Sequence, residues 1–402
     1  MLTGTQTHKW AALIMIIVMF PVMLFLLNPA FHTGTSPESI SYALMDKSSL
    51  HIHISTVNPG IHTLAADSAN GLVISVQVAD DSGASVSGAG VKLEASGSTG
   101  TSEGSFKPSE GFTDGSGSFI STYIPPAYIK ADSGNIDGSS GIAAKSGNNT
   151  LEITSRLSGT DKSNSLQLKL ISTPVVFVHG YQASPSIFSG IAEYLKLQSH
   201  KTLSFSYKSG NGVAAAASEL SDYLQAKSTE LEDSGIQVNR FDLVTHSMGG
   251  LVARYYTCSS EYTARGDVRK LIFVSVPQKG SPFASLGLQY YEDKSMKDLV
   301  PGSSLYSSIF PAMINAGLNP SVQTGSILGR YDEVVGTESA NLTEWKIETE
   351  IFEVGESNFT VDKLLNGEIL QAANHKLVLY NKKVYERIQQ MLETDIPFPS
   401  RK

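Results

Sequence analysis

Residues 241–251 constrain the fold of this chain more than any other segment. A short apolar stretch runs through a turn of small residues into a helical pattern, with Ser247 at the apex. Strand and helix approach closely in such a turn, so the residues beside the serine must be small. Gly249 and Gly250 satisfy this after the serine, but Thr245 stands where the G-x-S-x-G pattern has its first glycine. We interpret Ser247 as a candidate nucleophile; the alternative is an ordinary serine at a strand-to-helix connection.

Strand-like and helical patterns alternate over the second half of the chain. The strand candidates are near-continuous apolar runs, as expected where helices cover both faces of a sheet. Such alternation predicts an α/β fold, a mostly parallel sheet with helices on both faces. The predicted strands are 174–178, 202–207, 241–245, 270–276 and 324–328, and the predicted helices are 186–197, 214–231, 251–256 and 383–392.

A nucleophilic serine needs an imidazole that takes its proton and a carboxylate that holds this imidazole in one tautomer. The strand-turn-helix layout around Ser247 resembles that of α/β-hydrolases, and this resemblance implies that the acid and then the histidine follow the serine along the chain. Only one of the nine histidines, His375, comes after Ser247. We therefore predict that His375 is the base, although a histidine at the start of a helix is also a common polar cap.

The acid is sought between the serine and the histidine. Asp332 follows an apolar, strand-like run, which places it in a loop at the carboxyl end of a strand, where catalytic groups of α/β sheets gather. We predict Asp332 as the acid, with neighbouring Glu333 as the main competitor. The other aspartates in this interval are Asp267, Asp293, Asp298 and Asp362.

A second motif precedes the serine. The predicted strand at 174–178 ends in His179, Gly180 and Tyr181. A glycine there lets the backbone turn beneath the site, so that the amide N–H of Tyr181 pairs with that of Met248 to bind a developing oxyanion. We predict these two backbone donors as the oxyanion hole.

From about residue 173 to its end, the chain resembles α/β-hydrolases of the bacterial lipase and esterase type and is similar to inositol-deacylase-like hydrolases. The resemblance implies an α/β-hydrolase domain at 173–402 and cleavage of carboxylic, lipid or acyl esters. The motif at 276–282 departs from the family pattern. It has Val276 and Gln278 where relatives often have Thr and His, which puts a substrate role of that turn in doubt. The motifs that carry the resemblance are 178–180, 245–254, 276–282, 332–335 and His375.

The N-terminal region contains an apolar run at 11–27, preceded by His8 and Lys9. Its length is at the short end for a membrane span and at the long end for the hydrophobic region of a signal peptide, and either interpretation places the rest of the chain across a membrane. We predict a signal-anchor or signal peptide over 1–30, with the anchor favoured because no clear cleavage site follows. The protein is then attached to the cell membrane with its catalytic domain outside, or secreted.

Residues 70–172 are rich in Gly, Ser, Asp and Asn and carry short alternating apolar runs. Short strands with frequent turn signals predict an all-β sandwich. The stretches 78–91 and 113–117 resemble bacterial immunoglobulin-like domains of the invasin type, which act as spacers or bind a surface partner. Residues 31–69 carry few strong signals and are predicted to be a linker.

Charge and cysteine content narrow the range of partners. The formal net charge is −8, and acidic and basic residues are mixed along the sequence. The sequence therefore indicates no basic face that would bind nucleic acid. Cys258 is the only cysteine, which excludes an intrachain disulfide. We predict no cofactor, because no acidic cluster in the sequence requires a metal.

Three functions remain open on the sequence. The first is a surface-tethered or secreted serine esterase or lipase that uses Ser247, Asp332 and His375 on an ester or lipid substrate. The second is an acyltransferase with the same triad, and the third is a non-catalytic surface binding protein on a degenerate hydrolase scaffold. The connection 278–323 contains apolar residues that form either a lid over an acyl pocket or a helix packed on the body.

Overall fold

The computed structural model describes residues 40–42, 45–97, 103–129, 149–355 and 373–401. The strands, numbered β1 to β18 in chain order, are Ile40–Ser41, Leu50–Thr56, Thr63–Ala66, Leu72–Asp80, Val86–Ser87, Gly90–Gly97, Ser105–Lys107, Glu110–Phe112, Ser118–Ile124, Thr150–Leu157, Ser163–Ser172, Val175–Val178, Thr202–Phe205, Ile236–Gln237, Phe241–His246, Val268–Val274, Gln323–Gly329 and Thr349–Phe352. The α-helices, numbered α1 to α10, are Ser189–Leu197, Val213–Asp233, Met248–Thr257, Ser260–Arg265, Pro282–Gly287, Lys294–Leu299, Phe310–Ala312, Thr337–Ala340, Ala373–Leu377 and Lys382–Glu393.

A six-stranded parallel sheet forms the centre of the C-terminal domain, in the order β13-β12-β15-β16-β17-β18. Each of the five predicted strands overlaps an observed one, and the edge strand β18 is additional. The chain moves from β12 outward to β13 and then returns to pair β15 on the other side of β12. Ligands of α/β sheets bind outside the carboxyl ends of the strands at such a reversal.

Helices cover both faces of this sheet. Successive residues of a strand point to opposite faces, so Val176 and Val178 pack with α2 and α3, whereas Val175 and Phe177 pack with α1 and α10. All four side chains are fully buried. The apolar runs of the sequence thus contribute to two cores, one on each face of the sheet. Packing on both faces holds the strands and the carboxyl ends where they finish.

The N-terminal domain consists mainly of two sheets, β14-β3-β11-β10-β6-β8 and β2-β4-β9-β7. Most of its strand pairs are antiparallel, and the buried side chains of both sheets share one apolar core. This differs from the linker predicted over 31–69, since β2 and β3 belong to the sheets. Leu50, Ile52 and Ile54 alternate with exposed or half-buried residues along β2, which is the pattern of a strand buried on one face.

The two domains share a sheet. Strand β14, which lies between α2 and β15 of the C-terminal domain, pairs in parallel with β3 of the N-terminal domain. Gly235 O accepts hydrogen bonds from His62 N at 3.0 Å and from Thr63 N at 3.1 Å, and Asn70 Nδ2 donates to Gln237 O at 2.9 Å. The N-terminal domain is therefore fixed to the C-terminal domain by backbone hydrogen bonds.

A buried ion pair strengthens this junction. Arg240 Nε donates to Asp67 Oδ2 at 2.7 Å, and the side chain of Asp67 is 1% exposed. Burial alone would raise the pKa of Asp67, but the hydrogen bonds and charge of Arg240 hold it below the usual value. Asp67 is therefore charged in the folded protein at neutral pH.

We expect Asp67→Ala to lower the free energy of unfolding by about 3 kcal/mol at pH 7, because it leaves the Arg240 guanidinium unpaired. The pKa of Asp67 is depressed in the folded state, so its contribution is present above an unfolded pKa of about 3.9 and is lost as pH falls through the folded pKa. Urea unfolding at pH 7 and pH 3 measures both effects. Glu94→Ala, which removes an exposed pair with Lys92 and Arg156, is the control and should cost about 1 kcal/mol or less. Equal losses in the two variants would contradict the prediction.

Within the described ranges, no helix is long and apolar enough to cross a membrane. The predicted membrane segment at 11–27 lies outside those ranges.

Candidate active site

Ser247 lies at the carboxyl edge of the sheet, directly between β15 and α3. Its backbone has φ 54° and ψ −132°, a conformation that side-chain-bearing residues rarely adopt and that costs on the order of 1–3 kcal/mol. The strain is held by flanking hydrogen bonds, from Ser247 N to Val274 O at 3.1 Å and from Gly250 N to Ser247 O at 3.0 Å. This is the turn geometry that presents a serine Oγ above a sheet.

The glycines near Ser247 are required by close backbone approach. A Cβ on Gly249 would lie 2.3 Å from Val178 O, and one on Gly250 would lie 2.2 Å from a methyl carbon of Val276. A Cβ on Gly180 would lie 2.7 Å from the Cβ of Ser247. The two sequence motifs, which are far apart in the chain, therefore meet at the serine.

Thr245, at the first glycine position of the G-x-S-x-G pattern, fits into the turn. Its side chain is fully buried, and its Oγ1 donates a hydrogen bond to Ile272 O of the neighbouring strand β16 at 3.1 Å. The extra bulk fits because it occupies the space between two strands and satisfies its hydroxyl there.

His375 and Asp332 lie together although they are 43 positions apart in sequence. His375 Nδ1 is 2.8 Å from Asp332 Oδ2 and 3.0 Å from Oδ1, and both side chains are buried. Burial alone would raise the pKa of Asp332, but the charge and hydrogen bond of His375 hold it below its usual value. An ionised carboxylate only accepts, so Nδ1 carries the proton and Nε2 is left with a free lone pair.

The Nε2 atom of His375 is available for a hydrogen bond. Nε2 is buried and has no hydrogen-bond partner, and His375 lines the same cavity as Ser247. The hydrogen bond between Ser247 and His375 is thus not formed in this structure. Catalytic hydrogen bonds commonly tighten only when substrate is bound.

Glu333, the competing acid, has a different position. Its Oε1 accepts from Asn374 N at 3.2 Å and its Oε2 accepts from His375 N at 3.1 Å. The carboxylate therefore caps the first turn of α9, which carries the histidine, and does not contact the imidazole.

His246 is a supporting residue that sequence reasoning missed. Its Nε2 donates to the backbone carbonyl of His375 at 3.0 Å, and the two rings lie 4.5 Å apart. Burial lowers the pKa of His246 to about 3, so the ring stays neutral. Its position at the carboxyl end of β15, directly before Ser247, was the available signal, since the predicted base must approach that end of the strand.

The two residues predicted to supply the oxyanion donors belong to segments that adjoin Ser247. Met248 is the first residue of α3, where backbone N–H groups have no partner within the helix. Tyr181 directly follows Gly180, which packs against the side chain of Ser247. The loop after β12 and the start of α3 thus converge on the serine.

Three other aspartates of the interval have hydrogen-bond partners elsewhere. Asp267 accepts from the hydroxyl of Tyr256 at 2.7 Å, and Asp298 accepts from Val213 N at 2.8 Å. Asp293 caps α6 through Met296 N. Asp362 lies outside the described residues.

A cavity of about 560 Å³ opens beside Ser247 and His375. Its walls are mainly apolar. Among the described residues that line it, Lys376 is the one with a formal charge at neutral pH. The apolar wall residues include Ile187, Phe283, Ala284, Met296, Leu299 and Val334. Such a cavity favours an apolar group attached to the reacting carbonyl. Among the described residues, no group of His, Cys, Asp or Glu side chains is placed to hold a metal ion.

The connection 278–323 contributes to this cavity through its first part only. Helices α5 and α6 supply wall residues, whereas Leu305, Phe310 and Leu318 are buried in the domain core. Of the apolar residues that left a lid open as an alternative, these three pack on the body, whereas Ile314 is 50% exposed.

Gln278, which replaces the histidine of the family motif, has a structural partner. Its Oε1 accepts from Arg254 Nη1 at 3.0 Å, and the buried guanidinium also donates to Gly317 O at 2.6 Å and lies 4.0 Å from the centre of the Phe310 ring. Burial lowers the pKa of Arg254 to about 10. Gln278 thus helps to bind the connection to α3.

Comparison with known families gives one match. Residues 169–294 match a family model described as a PGAP1-like alpha/beta domain. The matched stretch contains Gly180, Tyr181 and Ser247 and ends before Asp332 and His375. Together with the sheet order and the strained serine turn, it identifies the C-terminal domain as an α/β-hydrolase fold. No curated protein matches the chain.

Solved structures give weaker similarities. The mature form of lipase BlEst2 from Bacillus licheniformis is 14% identical, with 55% of this chain and 92% of that chain covered and a TM-score of 0.43. Lipase B from Aspergillus fumigatus is 16% identical, with coverage of 56% and 54% and a TM-score of 0.37. The D0–D1 domain of Intimin is 15% identical, with coverage of 31% and 51% and a TM-score of 0.21. At these scores none of the three carries an argument about the chemistry of this chain.

Proposed function

We propose that this protein is a serine hydrolase that cleaves carboxylic esters through Ser247, His375 and Asp332. The observation that carries the proposal is the contact of 2.8 Å between His375 Nδ1 and Asp332 Oδ2, which leaves Nε2 without a partner in a residue that lines the same cavity as Ser247. Two further observations support the proposal: the strained serine lies at the switch point of the sheet, and the imidazole of His375 pairs with a buried carboxylate.

The proposed reaction proceeds through an acyl-enzyme. Ser247 Oγ attacks the ester carbonyl while His375 Nε2 takes its proton, and the negative charge on the carbonyl oxygen is stabilised by the N–H groups of Tyr181 and Met248. His375 then protonates the departing alcohol. Water gives a proton to the same Nε2 as it attacks the acyl-enzyme, the bond between the acyl group and Ser247 Oγ breaks, and His375 returns the proton to Oγ as the carboxylic acid leaves. Asp332 holds the tautomer and stabilises the imidazolium.

The apolar cavity supports lipid or other acyl esters as substrates. The test uses the full chain in detergent with aryl esters of increasing acyl length, together with labelling by a fluorophosphonate probe and mass spectrometry of the modified peptide. We expect Ser247 to be labelled and kcat/KM to rise with acyl length until the cavity is filled. Activity confined to acetyl esters would indicate a small-ester esterase. Labelling at another residue, or none, would refute the proposed mechanism.

An acyltransferase remains the alternative with the same residues. In that case an added alcohol intercepts the acyl-enzyme faster than water does, so the products distinguish the two activities. Aryl-ester assays with graded glycerol, analysed for acylglycerol and free acid, separate transfer from hydrolysis.

The proposal includes a surface location. It rests on the apolar run at 11–27, which directs the following chain across a membrane, and on the fold of the N-terminal domain, which we interpret as immunoglobulin-like and of the invasin type. The domain would position the hydrolase outside the cell or bind a surface partner. Protease treatment of intact cells tests this, since an external enzyme is degraded and a cytoplasmic one is protected.

A further inference from the structure

We propose that Asp293 and the Tyr181 hydroxyl position the oxyanion hole of this enzyme, an inference that rests on the proposed function. Tyr181 supplies its backbone N–H to the oxyanion, so the orientation of this residue determines the direction in which that N–H bond points. Its hydroxyl donates a hydrogen bond to Asp293 Oδ2, a residue of the connection between β16 and β17.

The loop at 180–182 is held on both sides of Tyr181 by other contacts, so the hydroxyl contact is what positions Tyr181 itself. On one side, Gly180 packs on Ser247. On the other, Gln182 N donates to Ser209 Oγ at 2.9 Å, and Gln182 has a positive φ of 48°. Tyr181 lies between these two points, and its ring also meets Tyr291 edge-on, with 6.4 Å between the ring centres. The hydroxyl contact fixes the far end of the side chain.

Asp293 is itself well placed to hold the tyrosine. Its Oδ1 accepts from Met296 N at 2.8 Å and so caps α6, which leaves Oδ2 for Tyr181. Helix α6 also supplies Met296 and Leu299 to the cavity wall. The carboxylate therefore connects the helix that borders the acyl cavity to the loop that stabilises the oxyanion. Asp293 acts through Tyr181 and is a positioning residue.

Two single changes isolate this contact. Tyr181→Phe removes the hydroxyl, together with the weaker hydrogen bond of 3.3 Å that it accepts from Gln182 Nε2, and keeps the ring and the backbone donor. Asp293→Ser keeps a side chain that can cap α6 but is too short to reach Tyr181. Tyr290→Phe is the control, because Tyr290 lies nearby and is 76% exposed.

The variants are compared in the full chain by ester hydrolysis and by inhibition with an alkyl trifluoromethyl ketone, which forms an oxyanion on the serine. We expect kcat to fall about 10-fold in either variant with KM within twofold, since the loosened donor acts mainly in the transition state. The ketone should lose affinity by the same factor, and the double variant should be no worse than either single one. Tyr290→Phe should match the wild type.

Three outcomes overturn the inference. The first is an unchanged kcat in the single variants with a cooperative thermal transition intact, and the second is an additive loss in the double variant. The third is a rise in KM with no effect on the ketone, which would indicate damage to the cavity wall instead. Absence of fluorophosphonate labelling at Ser247 in the wild type would refute the proposed function, and with it the positioning role. Labelling of Ser247 in the wild type, with kcat and ketone affinity unchanged in the variants, would refute the positioning role alone.

Discussion

Ser247→Ala is expected to lower kcat for ester hydrolysis by a factor of about 10⁵ to 10⁶, since alanine cannot form the acyl-enzyme. The fold should persist, because the backbone of residue 247 is held by hydrogen bonds through its own N–H and C=O, which alanine keeps. Steady-state hydrolysis of the best aryl ester measures the loss, and circular dichroism with thermal unfolding checks the fold.

A second variant sharpens the first prediction. In the proposed mechanism Ser247 and His375 act as a unit, so Ser247→Ala/His375→Ala should be no slower than Ser247→Ala alone. Residual turnover within about 100-fold of the wild type in the single variant would mean that another nucleophile performs the reaction. The scaffold interpretation, in which the domain only binds, predicts no turnover in any form of the protein.

Asp332→Asn is expected to lower kcat by about 10⁴, mainly by reversing the tautomer of His375. Asp332 Oδ1 accepts from Val334 N and Val335 N, at 3.0 and 2.8 Å, so the asparagine oxygen will occupy that place. Its NH₂ group then faces His375 Nδ1, which must accept, and the proton moves to Nε2. An Nε2 that carries a proton cannot take one from Ser247.

Glu333→Gln is the matched control for the acid. The glutamine keeps an oxygen for one of the two backbone N–H groups that cap α9 and does not touch the imidazole, so kcat should change no more than about 10-fold. Measured kcat values, with Tm values for both variants, decide between the two carboxylates. Near-normal turnover in Asp332→Asn with a large loss in Glu333→Gln would transfer the role of the acid to Glu333.

The sequence predicted those parts of the site that depend on local pattern and chain order. The turn around Ser247 is encoded in consecutive residues, and His375 followed by elimination, because only one histidine lies after the serine. The distance of 2.8 Å between His375 and Asp332 could not be read from the sequence, since it depends on how β17 and α9 meet. The contact of Tyr181 with Asp293, across 112 residues, carries no local signal at all.

The boundary of the N-terminal domain was predicted less well. Leu50, Ile52 and Ile54 carry the period-two pattern of a strand, but they lie in a stretch otherwise poor in apolar runs. Strand β3 is shorter and buried on both faces, so its sequence shows no alternation. Its neighbours, β11 and β14, are far from it in sequence, and such pairings become visible only in three dimensions.

The sheet shared by β3 and β14 also governs how this chain can be divided. Cutting the chain between the domains would strip β3 of one partner and expose a row of unpaired N–H and C=O groups on a strand whose four residues are all buried. Bare edges of this kind recruit other chains and aggregate. We therefore expect the isolated halves to be poorly soluble and the intact chain to melt in a single cooperative transition, so that neither half is an independent building block for engineering.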